Sequence, residues 1–388
     1  MPPVPALVDA DALMFEAAQQ TGSDDFGAES FAAALQLLVA SCAERGVLTE
    51  LGWRVLRSSA LRHLRNRVAV RSYLRAHPGV ETSSTDRPIV VTGMPRTGTT
   101  VLHELLALDT AHRSLRLWEA LLPVPVTSAA ERDARIEQAG RWLERFYGAV
   151  PGFVRIHALR PDGPEECDTL LQNAFASQHF DDMFDAPAYS EWLATDGLGD
   201  AYAFYAAQLR ILTAADPGRR AWVLKSPIHL GHLDALLAVL PGALVVHCHR
   251  DPMEAVPSHA SLIATLRRAY SERVDPREVG HQAVTRCAVA IDRAMRVRDT
   301  VTSGQFIDVA YADIERDPLA VLRSVYQAAG RQLDAGLEGR MRDWLRGNPR
   351  DARGRHEYGA GAFGIDAAML RRALGPYLER FAAQLRWT

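Results

Sequence analysis

Between Gly93 and Gly98 the sequence GMPRTG spaces two glycines as a phosphate-binding loop does, and Thr99 and Thr100 follow at once. Glycines at that separation let consecutive backbone N–H groups curl round an anion at a helix start, and the threonine hydroxyls add donors. In a nucleotide triphosphatase the next residue is a lysine that reaches the β- and γ-phosphates, and a strand-end acid helps to hold magnesium. Here Thr99 takes the place of that lysine, and the run ALVVHCHRDP presents Arg250 directly before Asp251. Basic residues in place of a metal-binding acid suit a ligand with a second anionic group. Arg96, inside the loop, brings a cation from another direction. Of 44 basic residues, Lys225 is the one lysine. An ammonium is a compact, movable charge that arginine does not replace where such a group is needed, so Lys225 is a candidate for chemistry.

These side chains need strands and helix starts to hold them. PIVVTG, from Pro88, is a β-branched run entering the glycine turn, and TTVLHELLAL continues as a helical pattern. That order, strand then loop then helix, is the context a phosphate loop requires. WVLKSP, ALVVHCHRDP and FIDVAYADI are further strand-forming runs with helical patterns behind them. The sequence therefore predicts an α/β fold, a P-loop-like parallel sheet flanked by helices and joined by right-handed crossovers. Residues 1–85 read as an N-terminal helical extension, since FAAALQLLVASCAERG and LGWRVLRSSALRHLRNRVAVRSYL space apolar residues by three and four. Residues 86–388 read as the α/β domain. Within it, 110–200 is a mainly helical insertion of the kind that builds substrate pockets near strand ends. Its Trp118, Leu121, Phe175, Phe180, Phe184, Tyr189 and Trp192 suit either a pocket or the core.

GMPRTGTT together with HRDPMEAVPSHASL resembles the paired signature of sulfotransferases that use 3′-phosphoadenosine 5′-phosphosulfate (PAPS). KSPIHL, VAYADIERDPLAVLRSVYQAAG, PEECDTLL, the early DDFG and the tail GRHEYGAGAFGID extend the likeness over nearly the whole chain. They point toward the bacterial branch that includes a mycobacterial menaquinone sulfotransferase. The resemblance implies that Arg96, Thr97, Gly98, Thr99 and Thr100 cradle the 5′-phosphosulfate and that Arg250 and Ser258 bind the 3′-phosphate. It adds Tyr311 to the cofactor site, and Arg353 and Arg355 as substitutes for a basic tail motif without a literal match here. The implied reaction moves a sulfuryl group to a hydroxyl of a small-molecule or lipid-like acceptor, releases 3′,5′-adenosine bisphosphate (PAP) and needs no metal. Arg96 and Lys225 are the candidates for stabilising the bridging oxygen. Glu165, Glu166 and His229 are all candidates for the base. The two acids start a helix after a proline-rich turn, where the dipole favours acids in any case. His229 follows Lys225 by four residues, and its imidazole titrates in the right range.

A net charge of −3 with 23% charged residues leaves no nucleic-acid footprint. Cys42, Cys167, Cys248 and Cys287 form no CxxC pair, which fits buried free thiols better than disulfides or zinc. The opening MPPVPALVDADALMF lacks the basic start and apolar run of a secretory leader. LLAVLPGALVV is broken by Pro-Gly and falls short of the roughly 20 apolar residues that span a bilayer. The expectation is a cytoplasmic protein with no transmembrane segment and no nucleic-acid partner, a homodimer being left open. Two other classes compete. A degenerate P-loop kinase would need ATP and magnesium, for which the lysine and acid are missing. A non-catalytic nucleotide-binding protein would have no use for the retained Lys225.

Overall fold

Aliphatic and β-branched runs form the expected strands, which the computed structural model describes with residues 8–82, 86–195, 197–216, 218, 221–301, 304–349 and 359–387. They are β1 Asp86–Gly93, β2 His112–Ser114, β3 Ala221–Lys225, β4 Leu244–His249 and β5 Phe306–Ala310. The order in the sheet is β2-β3-β1-β4-β5, and every neighbouring pair is parallel. Alternation along each strand sends side chains to opposite faces. Ile89, Val91, Val223 and Val246 join one apolar cluster, while Val90, Leu224 and Val245 join another. Both faces are covered, as an all-parallel sheet requires.

Strand β2 escapes the sequence pattern because its residues are His-Arg-Ser. It pairs with β3, and its Arg113 is buried against the Trp222 ring at 4.9 Å with an ion pair to Glu119 at 2.6 Å. Paired in this way, a polar tripeptide can sit inside the fold.

The amino-terminal region forms α1 Ala10–Thr21, α2 Ser30–Arg45 and α3 Glu50–Ala76. Asp9 caps α1 by accepting from Ala12 N, and Thr49 caps α3 by accepting from Gly52 N. Leu13, Leu38, Leu56 and Leu64 of these helices belong to the same apolar cluster as Trp222 and Val245. Helix α4, Thr99–Leu106, leaves the end of β1, and the helix Pro252–Tyr270 leaves the end of β4. Asp251 caps the latter by accepting from Met253 N at 2.7 Å, and Pro252 stands in its first turn, where a missing N–H costs nothing. The loop after β1 and the start of the helix after β4 thus lie side by side, because β1 and β4 pair over Gly93 and Cys248.

Candidate active site

The loop after β1 has the backbone its glycines allow. Gly93 has φ 151°, and a Cβ there would come within 2.4 Å of the Cys248 carbonyl oxygen. Gly98 has φ 89°, and its Cβ would meet the Tyr311 ring at 2.9 Å. Thr97 Oγ1 donates to Met94 O at 2.7 Å and closes the turn. No side chain caps α4, whose N-cap is Gly98, so its first amides have no side-chain partner from the cap. Arg96 holds φ 70° without being glycine, a conformation that costs about 1–2 kcal/mol.

Arg250 offsets that strain. Its Nη1 donates to the Arg96 carbonyl at 2.9 Å, its guanidinium lies 4.1 Å over the Tyr311 ring, and its Nη2 pairs with Glu254 at 2.8 Å. The Arg96 side chain reaches the other motif, donating from Nε to Ser258 Oγ at 3.1 Å and from Nη1 to Ile156 O at 3.1 Å. Arg96, Arg250, Ser258 and Tyr311 therefore form one contiguous set. Eight residues separate Arg250 from Ser258, and the helix between them returns the serine to the loop.

Lys225 stands at the end of β3, 1% exposed, with Nζ 3.4 Å from Thr100 Oγ1 and in a short ion pair with Glu166. Burial pushes the Glu166 carboxyl up, but Lys225, His157 and His103 more than offset this and hold it below its ordinary range. Glu165 is different. Burial pushes it up to about 7, against the backbone N–H of Glu166 donating to its Oε1 at 2.8 Å. Both glutamates line a cleft of about 2540 Å³ that also takes in Arg96, Gly98, Thr99, Thr100, Arg250, Ser258 and Tyr311.

His229 is not among the residues lining that cleft. The turn Pro227–His232 buries its ring, where Nδ1 meets Tyr202 Oη at 2.8 Å and Nε2 meets Cys167 Sγ at 3.1 Å. Burial pushes it down to about 3, so it is neutral with both nitrogens engaged. Of the aromatic and aliphatic candidates, Trp118, Leu121 and Phe180 line the cleft, whereas Phe175, Phe184 and Tyr189 are fully enclosed in the core. Trp192 lines a separate hollow of about 730 Å³. Arg353 and Arg355 lie outside the described residues.

Two buried groups beside Lys225 and Glu166 were not singled out by sequence. His103, on α4 one turn after Thr99 and Thr100, has a buried Nε2 with no hydrogen-bond partner, and burial, then Lys225, pushes it down to about 3. Asp168, just after the glutamates, accepts from Ser177 Oγ at 2.8 Å while its Oδ1 lacks a partner, and burial pushes it up to about 7. Helical spacing from Thr99 could have pointed to His103. Nothing in the sequence marks Asp168 beyond its place beside Glu166. Elsewhere His247, His249 and Asp308 bring ligand atoms within 4.8 Å of one another, but Arg298 donates to both Asp308 oxygens at 2.7 and 2.8 Å and already supplies the positive charge.

Comparison with known proteins bears on this geometry. A model of the sulfotransferase family matches residues 88–335. Omega-hydroxy-beta-dihydromenaquinone-9 sulfotransferases of Mycobacterium bovis and Mycobacterium tuberculosis are 28% identical over 255 residues, covering 64% of this chain. That match spans 64% of the relatives' own length, a little under two thirds. Among solved structures, sulfotransferase STF9 from Mycobacterium avium is 30% identical with a TM-score of 0.86, covering 97% of each chain. Sulfotransferase STF1 from Mycobacterium tuberculosis H37Rv is 29% identical with a TM-score of 0.83, covering 94% of this chain and 98% of that one.

Proposed function

The chain belongs to the sulfotransferase family, and on that premise we propose that it transfers a sulfuryl group from PAPS to a hydroxyl of a small-molecule or lipid-like acceptor, releasing PAP. The family implies PAPS as co-substrate. One observation carries the reading: Arg96 donates to Ser258 while Arg250 donates back to the Arg96 carbonyl. Two anion-recognising motifs are thereby one unit, which suits a ligand with phosphates at both ends of a nucleoside. The glycine cradle fits such a group, because at Gly93 and Gly98 the close approach of Cys248 and Tyr311 leaves no room for a Cβ.

PAPS supplies a sulfuryl group already bonded to a phosphate that leaves well. The loop N–H groups, that of Thr97 among them, hold the 5′-phosphosulfate with the Thr99 and Thr100 hydroxyls, and Arg250, Ser258 and Tyr311 hold the 3′ end. Glu166 takes the acceptor's proton as the acceptor oxygen bonds to sulfur. Lys225 and Arg96 meet the electron pair left on the phosphate oxygen as its bond to sulfur breaks. Preorganised cations supply the charge stabilisation that a metal gives in phosphoryl transfer, so no metal is required. Glu166 is preferred to Glu165 because it touches Lys225, so base and cation change partners together. His229, engaged through both nitrogens, is given no part. Residues 1–85 are kept as the helical extension and 86–388 as the transferase domain, with 110–200 supplying the acceptor wall through Trp118, Leu121 and Phe180.

The reading extends to a cytoplasmic location with no nucleic-acid partner. No helix among the described residues is long and apolar enough to cross a membrane, and fractionation of expressing cells tests the location. The central experiment is calorimetry with PAP in chelator, beside ATP with magnesium, followed by an acceptor screen with labelled PAPS. Tight PAP binding in chelator and label transfer are expected. A preference for ATP with magnesium would overturn the reading.

A further inference from the structure

Ten arginines line the cleft, and five of them, Arg135, Arg160, Arg250, Arg286 and Arg293, have acidic partners among the described residues. Arg135 pairs with Glu131 at 2.6 Å, Arg160 with Glu104 at 2.7 Å, Arg250 with Glu254 at 2.8 Å and Arg286 with Asp182 at 2.7 Å. Arg62, on α3, lines the same cleft with no ion pair among the described residues. Its Nη2 lies 3.2 Å from His63 Nε2, its guanidinium lies 5.9 Å from the Trp142 ring, and its Nη1 is shut off from water with no hydrogen-bond partner.

The partner it has is neutral. His63 Nδ1 sits 2.8 Å from Asn173 Oδ1, and Asn173 Nδ2 donates to Gln208 Oε1, so that Oδ1 is the carbonyl end and accepts. His63 then carries its proton on Nδ1 and offers a lone pair at Nε2, which takes one Arg62 N–H. Burial pushes the His63 imidazole well below its ordinary range, which agrees with a bare Nε2 facing Arg62. Arg62 itself is pushed down only to about 10, by burial first and then Arg65, and stays cationic at neutral pH. A buried charge with an unmade hydrogen bond is costly to a fold unless something answers it.

We propose that Arg62 anchors a lone-pair oxygen on the body of the sulfuryl acceptor, a carbonyl or carboxylate apart from the hydroxyl that is sulfated. This rests on the sulfotransferase reading and narrows its acceptor: the substrate is an alcohol with a second, hydrogen-bond-accepting oxygen. A plain hydrocarbon alcohol leaves Arg62 unanswered and is a poorer substrate. The preference comes from the buried donor, because a site built to hydrogen-bond an oxygen rejects the analogue that lacks it.

The test uses the full chain, labelled PAPS and three kinds of acceptor: decanol, terminal-hydroxy decanones with the carbonyl at successive carbons, and terminal-hydroxy decanoate. The wild type is expected to favour at least one oxygen-bearing acceptor over decanol by about tenfold or more in kcat/KM, as a hydrogen bond to a charged group gives. Favouring the decanoate identifies an anionic oxygen, and favouring a decanone a neutral one. Arg62→Met should bring that ratio toward one through KM, while Arg62→Lys keeps part of it and PAP affinity is retained. Equal kcat/KM for all three kinds of acceptor in the wild type overturns the assignment without any variant. So does a ratio that Arg62→Met leaves unmoved, as a purely structural arginine would. Failure to bind PAP, with no transfer to any alcohol or phenol, would instead overturn the sulfotransferase reading.

Discussion

At the scale of single residues, the ion pair between Lys225 and Glu166 ties together the two groups given to charge stabilisation and proton removal. Lys225→Ala is expected to lower turnover by about 10²–10³ while PAP affinity changes little, measured by label transfer beside calorimetry. Unchanged turnover would remove Lys225 from the mechanism. Asp168 gives a pH signature. Its carboxyl is raised from 3.8 to about 7 by burial, so folding favours the protonated form. That contribution to stability is complete below pH 3.8 and is lost as pH rises through about 7. Asp168→Asn should therefore gain stability over the wild type as pH rises from 5 to 8, by at most about 3 kcal/mol, and a thermal-unfolding difference that stays flat across this range would refute the account. The motif residues were legible because their spacing is local. His103 and Arg62 were not, since only the folded chain brings α4 against Lys225 and α3 against the cleft. Spacing from Lys225 suggested His229, but spacing alone does not say which way a turn faces, and this one faces Tyr202 and Cys167.

Among the elements, the loop and the helix Pro252–Tyr270 hold each other. Arg250 clamps the strained Arg96 carbonyl, and in the proposed reading it is also the cation for the 3′ end of the ligand. Arg250→Ala is therefore expected to weaken PAP by about 1.5–3 kcal/mol, and to weaken adenosine 5′-phosphate, which has no 3′-phosphate, by a smaller but measurable amount. Equal losses for the two ligands would refute the 3′ assignment. The major strands and the strand–loop–helix order were legible because buried parallel strands are apolar on both faces. β2 was not, because its His-Arg-Ser is tolerated only through tertiary partners, the Glu119 carboxylate and the Trp222 ring.

Across the whole molecule, one apolar cluster runs from Leu13 of α1 through the sheet residues Trp222 and Val245 to Leu385 near the carboxyl end. The sheet is consequently enclosed, and Lys225 is enclosed with it, 1% exposed at the end of β3. Because it is also the chain's one lysine, the fold hides the single peptide bond that a lysine-specific endoprotease can cut, between Lys225 and Ser226. Cleavage requires a segment to leave the active site of the protease's target and lie extended, so it samples opening of the sheet rather than fraying at the surface. The folded chain is expected to resist such a protease, and under denaturant to yield two fragments, 1–225 and 226–388, in one step. PAP should slow that cut in proportion to its occupancy, since a ligand bound to the folded form lowers the open population. Ready cleavage of the unliganded chain at low temperature would contradict the burial of Lys225. The residue given to the chemistry is thus also a built-in gauge of unfolding, readable on a gel without any label.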